Sequence, residues 1–307
     1  MNEFIDFTDC KRLSGKAYNG ANGKKIAIEY NGDEYMLKFP PSGEGKKTEL
    51  SYTNGCVSEH IASSIFNIIG INAQQTLLGT FSVGDKKKIV CACRDFTSGG
   101  KRLFDFCSIK NTIIDSETNG TGTELDDVIE TIEKQRFVEP LVLKEHFWDM
   151  FIVDAILGNF DRHNGNWGFL YDPQTDTSEM APIYDCGSCL LPQADEKTMI
   201  KILNDKDELN KRIYMFPTSA LKIDDIKINY YDFISSAENE DCNAALLRIY
   251  DRIDLDQING FIDNVPYISD LQKRFYKTYI SARVDIIIRP VYDIITSEEQ
   301  NQTNLII

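Results

Sequence analysis

Apolar positions along the chain fall into two regimes. In the first third they form strand-like runs. KIAIEY (Lys25 to Tyr30) and EYMLKFP (Glu34 to Pro40) flank Asn31-Gly32-Asp33, and Asn-Gly between such runs signals a hairpin. A second pair, Gln75 to Phe81 and Lys88 to Phe96, brackets a turn at Gly84-Asp85. Between the pairs, Val57, Ile61, Ile65, Ile68 and Ile69 recur at helical spacing, which predicts one helix ended by Gly70. Hairpin, helix, hairpin makes a small antiparallel sheet with one helix packed on it. The Gly- and Lys-rich stretch from Pro41 to Lys47 reads as a loop.

From Thr97 the pattern turns helical. Ser98-Gly99-Gly100 reads as a linker, and helices are expected over Leu125 to Arg136, Lys144 to Leu157, Asn243 to Ile253 and Asp270 to Ile288. Thr112 to Gly122 reads as a polar surface loop, and the tail from Ser297 as loose until its last residues. The fold class this predicts is α+β and bilobed, like a protein kinase. A β-rich N-lobe (1–96) is hinged near Arg94-Asp95-Phe96 to a larger helical C-lobe (97–307). Nucleotides bind in such inter-lobe clefts.

Composition narrows the picture. The 307 residues, 42% hydrophobic and 26% charged, suit an ordinary globular protein with a large core. A formal net charge of −15 argues against nucleic acid or an anionic membrane as main partner. No apolar stretch reaches membrane-spanning length. The N-terminal MNEFIDFTDC lacks the basic and apolar regions of a secretory signal, so a cytoplasmic location is expected. The eight cysteines read as buried free thiols in a reducing compartment. Cys186-x-x-Cys189 is half of a zinc or redox pattern. With His60, His146 and His163 scattered, zinc is not expected.

The candidate chemistry lies in GNFDRHNGNWGF (Gly158 to Phe169) and IYDCGSCL (Ile183 to Leu190). Asp161 and Asn166 are five residues apart, and Asp185 follows on a predicted apolar strand. ATP-dependent phosphotransferases need a carboxylate at the acceptor hydroxyl, and an amide and a second carboxylate for magnesium. Asp161, Asn166 and Asp185 supply these in that order. Arg162 is a candidate for neutralising the loop or touching phosphate, and His163 is as readily structural as catalytic. The competing reading of the run is an Asx-rich turn. Lys38, in the strand YMLKF, is a candidate phosphate-contacting lysine, against the alternative of a solvent-facing strand residue. Glu59, on the following helix, is its candidate ion-pair partner, with Glu49 as runner-up. Gly20, Ala21, Asn22 and Gly23 lie before the first strand and could cover phosphates with backbone N–H groups, although the GxGxxG spacing is absent. Gly187 lets the chain bend after Asp185.

On these residues the chain resembles the HipA-like serine/threonine kinases, in particular their small stand-alone members. NGANGKKI, YMLKFPP, ELSYTNGCVSEH, LLGTF, FWDMFIVDAILGNFDRHNGNWGFL, APIYDCGSCLLPQAD, INYYDF and ALLRIY carry the likeness over nearly the whole chain. The resemblance implies a bilobed kinase-like fold, ATP with Mg2+, and phosphorylation of protein Ser or Thr, including autophosphorylation. Within it Lys38 matches the phosphate-binding lysine, Asp161 the catalytic aspartate, Asn166 and Asp185 the magnesium ligands, and Gly20 to Gly23 the nucleotide loop. Asp185-Cys186-Gly187 stands where protein kinases have Asp-Phe-Gly, so the phenyl switch is missing. Toxin-type members carry an extra N-terminal subdomain, for which this sequence leaves no room; that counts against antitoxin pairing and operator binding. Family analogy also raises release and action on host cells. Oligomeric state is not legible.

Two other functions compete. DRHNGN also fits the loop of phosphoinositide-type lipid kinases. Those need a basic segment after the metal-binding Asp, and CGSCLLPQADEK is not one. A nucleotide-binding pseudokinase or effector scaffold is the non-enzymatic reading, opposed by the intact set of Lys38, Asp161, Asn166 and Asp185.

Overall fold

The computed structural model describes residues 4–16, 24–41, 53–114 and 120–306. The Gly20 to Gly23 run and Glu49 lie outside them.

The first third holds a five-stranded antiparallel sheet, ordered β1-β2-β3-β5-β4. Its strands are β1 (Lys11–Arg12), β2 (Lys25–Tyr30), β3 (Asp33–Lys38), β4 (Thr76–Val83) and β5 (Lys86–Arg94). Tyr30 pairs with Asp33, so Asn31-Gly32 is a two-residue hairpin turn. Both turn residues are left-handed, with φ of 51° and 85°, as Asn-Gly favours. Helix α1 (Gly55–Ile68) packs across β4 and β5. The strand period sorts the two faces. Leu37 and Phe39 join Phe7, Ile28, Phe81 and Val90 in a core on one face. Met36 and Lys38 alternate with them, toward α1.

The rest of the chain is mainly helical. It opens with β6 (Arg102–Asp105), α2 (Phe106–Ile113), α3 (Leu125–Lys134) and α4 (Pro140–Leu157). Strands β7 (Gly168–Asp172) and β8 (Thr177–Met180) complete a small sheet ordered β6-β7-β8. Then come α5 (Glu196–Asn204), α6 (Lys206–Tyr214), the hairpin β9 (Lys222–Ile223) and β10 (Ile226–Lys227), α7 (Tyr230–Ser236), α8 (Glu240–Tyr250) and α9 (Leu255–Asp263). Helix α10 (Asp270–Arg283) passes through a π turn, Val284–Ile288, into α11 (Arg289–Ile306). The α4 helix is buried almost all round and centres the core; α3, α8 and α10 pack on it.

Three expectations change. The tail from Ser297 is not loose but continues α11, because Ser-Glu-Glu-Gln offers the helix no breaker. Asp185 is not on a strand. Only Ile183 makes an isolated bridge, to Ala73, and the left-handed φ of 56° at Asp185 takes the chain out of extended geometry. Thr112 and Ile113 belong to α2 rather than to a surface loop, and Gly120 is buried.

Candidate active site

Lys38 ends the central strand β3, on the face toward α1. Its Nζ lies 2.8 Å from Glu59 Oε2 and 2.8 Å from Asp185 Oδ1. Burial alone would favour the neutral amine. The Glu59 and Asp185 carboxylates outweigh it and hold the lysine well above its ordinary pKa. In turn the Lys38 charge, working against burial, lowers Asp185 to about 2. Glu59 is 1% exposed and Asp185 43%, so the ion pair runs from the interior to an open edge.

Glu59 does more than pair with Lys38. Its other oxygen accepts the backbone N–H of Cys186 at 3.1 Å. Gly187 permits that approach, since a Cβ there would lie 3.1 Å from Glu59 Oε2. Helix α1 therefore holds both the strand lysine and the chain just after Asp185.

The loop bearing Asp161 starts where α4 ends, at Gly158, with φ of 64°. A Cβ at Gly158 would sit 2.2 Å from Tyr279 Oη, so both backbone and space demand glycine. Asn159 donates to Asp154 Oδ1 at 2.8 Å, and its own Oδ1 accepts the N–H of Asp161 at 3.0 Å. Asn166 Nδ2 donates to the Asp161 carbonyl at 2.8 Å, which leaves Oδ1 as the acceptor end of that amide. The Asp161 carboxylate has a distant neighbour in Ser188 Oγ, at 3.5 Å. His163 lies at the surface and accepts the N–H of Gly165 through Nδ1 at 3.0 Å.

Arg162 is buried at 5% exposure, not turned to phosphate. Its guanidinium meets Asp154 Oδ2 at 2.9 Å and Oδ1 at 3.2 Å. It also donates to the carbonyls of Asn166 at 2.9 Å and Tyr184 at 2.5 Å, and to Cys186 Sγ at 3.4 Å. One side chain thus ties the Asp161–Asn166 loop to the segment carrying Asp185. Burial opposes the Arg162 charge, but Asp154 more than compensates and raises its pKa. A bonded Cys189 thiol, and after it the Arg162 charge, lower the Cys186 thiol against its burial. All eight cysteines are free thiols.

At the expected hinge, Arg94 turns outward to Asp33 at 2.7 Å and Gln75 at 2.9 Å. Asp95 accepts from Lys16 at 2.8 Å and from the Thr97 N–H and hydroxyl at 2.8 and 2.6 Å. Phe96 packs against Tyr184, ring centroids 5.7 Å apart. The structure thus brings Lys38, Glu59 and Asp185 together, holds Asp161 and Asn166 in one loop, and sets Phe96 beside the residue preceding Asp185. The carboxylates of Arg94's partner and of Asp95 are engaged by protein groups.

Sequence reasoning missed Asp154, Asn159 and Tyr184. The signal for Asp154 was present: a carboxylate inside the apolar run IVDAIL needs a buried partner, and Arg162 is the nearest cation in sequence.

A small antiparallel sheet with an ion-paired strand lysine, set against a helical body with a loop-borne Asp, Asn and Asp, defines a protein-kinase-like fold. The chain belongs to the HipA-like C-terminal domain family, whose profile matches residues 17–253, and it is an enzyme of the kinase class. It is 53% identical over 285 residues to the serine/threonine-protein kinase CtkA of Helicobacter pylori strain J99, covering 92% of this chain and 86% of that protein. The crystal structure of the Helicobacter pylori proinflammatory kinase CtkA superposes with a TM-score of 0.89 at 51% identity, covering 95% of this chain and 97% of that one. HipA, in a complex with HipB and operator DNA from Shewanella oneidensis, shares the fold at a TM-score of 0.55 and 18% identity, covering 92% of this chain and 68% of that one.

Proposed function

We propose that this chain is an ATP- and Mg2+-dependent protein serine/threonine kinase that transfers the γ-phosphate to Ser or Thr hydroxyls, its own among them. The observation that carries the reading is the double ion pair of Lys38 with Glu59 and Asp185. A buried lysine held charged between a helix carboxylate and a second, half-exposed carboxylate is arranged to meet phosphate oxygens.

The donor set fits magnesium. Asp185 is ionised at any physiological pH, and Asn166 keeps its Oδ1 uncommitted to Asp161; both are hard oxygen donors. Bound there, Mg2+ would neutralise charge on the phosphates. Asp161 orients the acceptor hydroxyl and takes its proton late. Lys38, kept in place by Glu59, contacts the phosphates. Arg162 holds the loop and the Asp185 segment at a constant separation. The lobes divide at Phe96–Thr97, Phe96 marks the base end of the cleft beside Tyr184, and Gly20, Ala21, Asn22 and Gly23, outside the described residues, are the candidate cover for the phosphates.

The acceptor class is tested by supplying labelled ATP and Mg2+ with protein substrate in one arm and phosphoinositide vesicles in another, then mapping phosphosites by mass spectrometry. Label on Ser or Thr, including sites on the chain itself, is expected. Label confined to lipid would replace this reading with the lipid-kinase one.

A further inference from the structure

Asn54 occupies the N-cap of α1, where asparagine ordinarily accepts an N–H of its own helix. Here it makes no such cap; its φ of −99° and ψ of 8° turn it elsewhere. Its Nδ2 instead donates to the Ala194 carbonyl at 2.8 Å, and its backbone N–H to the Pro192 carbonyl at 3.0 Å. Its Oδ1 accepts from Gln272 Nε2 at 3.2 Å. Gln272 meanwhile uses its oxygen to complete the capping box of α10 with Ser269. A helix forgoing its own cap to hold a remote segment breaks a local rule, and such breaks concentrate at functional positions.

The segment so held follows Asp185 directly, and it is strained. Leu190 and Leu191 both adopt left-handed φ, 60° and 52°, as Asp185 does at 56°. Bulky residues rarely accept that region unless their surroundings impose it. The segment is buried at Cys186, Cys189, Leu190 and Leu191, is bonded within itself from Ala194 N–H to the Leu191 carbonyl, and meets Arg162 at Cys186 Sγ; its remaining polar restraints are identifiable. Glu59 holds Cys186 N–H at the start, the Leu157 carbonyl takes Leu190 N–H at 2.8 Å, and Asn54 holds Pro192 and Ala194 at the end. Both outer anchors belong to α1, which also carries the partner of Lys38.

We infer that Asn54 is a positioning residue for the metal-binding site: with Glu59 it clamps the strained 186–194 segment at two points and so sets where Asp185 stands. This rests on the reading of Asp185 as a magnesium ligand. Releasing the far anchor lets the leucines relax and Asp185 shift, weakening the site without removing any ligand.

The test is Mg2+-dependent binding of a fluorescent ATP analogue to the full chain, with thermal melting in parallel. Asn54→Ala should raise the Mg2+ concentration for half-saturation by about tenfold, the lower range for loss of an outer support of a metal ligand. Gln272→Glu keeps the capping-box oxygen but cannot donate to Asn54, and should shift Mg2+ dependence the same way by less. Leu191→Gly removes strain and should restore part of the loss when combined with Asn54→Ala. An unchanged Mg2+ midpoint in both Asn54→Ala and Gln272→Glu overturns the inference. So does a lower melting temperature alone, with no shift in midpoint and no rescue by Leu191→Gly. If nucleotide binding to the unmodified chain does not depend on Mg2+, the reading of Asp185 fails instead.

Discussion

One oxygen of Glu59 accepts the backbone N–H of Cys186 at 3.1 Å while the other lies 2.8 Å from Lys38 Nζ. A buried carboxylate on α1 therefore sets the strand lysine and the Asp185 segment at once. Glu59→Ala removes a neutralising charge beside a lysine only 12% exposed. Breaking a buried pair from one side costs about 3–5 kcal/mol, and the remaining Asp185 contact places this variant near the low end. Glu59→Gln keeps an acceptor for Cys186 and should lose less. Urea unfolding of the two variants checks the order.

Acid should weaken the fold through Asp185. Its folded pKa is about 2 against an ordinary 3.8, so it ionises more readily folded than unfolded. Its contribution is complete above the unfolded value and is lost as pH falls through the folded one. The shift corresponds to about 2 kcal/mol, and with the side chain 43% exposed the screened contribution is about 1 kcal/mol. The stability gap between the unmodified chain and Asp185→Asn should therefore shrink by about 1 kcal/mol between pH 6 and about pH 2. Urea titrations at the two pH values measure it.

Arg162 should behave as a structural hub rather than a phosphate contact. Arg162→Met strands Asp154, 1% exposed, without its counter-charge, and should cost about 3–5 kcal/mol. Arg162→Lys keeps the charge but loses the fork that reaches Asp154, Asn166 and Tyr184 together. Melting should drop in both. In the folded fraction of Arg162→Lys, kcat should fall more than the KM for ATP rises. A selective rise in KM with normal stability would point to phosphate contact instead.

Gly158→Ala should destabilise strongly. The left-handed φ of 64° alone costs a non-glycine residue about 1–2 kcal/mol, and the added Cβ meets Tyr279 Oη at 2.2 Å. Pairing it with Tyr279→Phe, which removes that hydroxyl, should recover part of the melting temperature.

What the sequence revealed follows how local each signal is. The β2–β3 and β4–β5 hairpins and α1 were legible because a two-residue turn and helical spacing are short-range patterns. Lys38, Asp161, Asn166 and Asp185 stood out as polar residues in apolar or glycine-rich settings. The short helices α2, α5, α6, α7 and α9 did not, because each spans three turns at most and rests on an Asp or Asn cap as much as on an apolar stripe. Strand β6 joins the local β7–β8 hairpin from far away in sequence, a pairing that no local period announces. The role of Arg162 was partly legible: Asp154 is a nearby counter-charge in sequence, whereas the Tyr184 carbonyl approaches it only in the folded chain. Asn54 gave no sign at all, since asparagine at a helix start looks like an ordinary cap.

The most direct test of the account is phosphoryl transfer from labelled ATP in the presence of Mg2+, with the unmodified chain beside Asp161→Ala. Loss of a general base predicts transfer slower by roughly 10²–10⁴ in the variant, with nucleotide binding and melting preserved. Equal incorporation by the two proteins would contradict it.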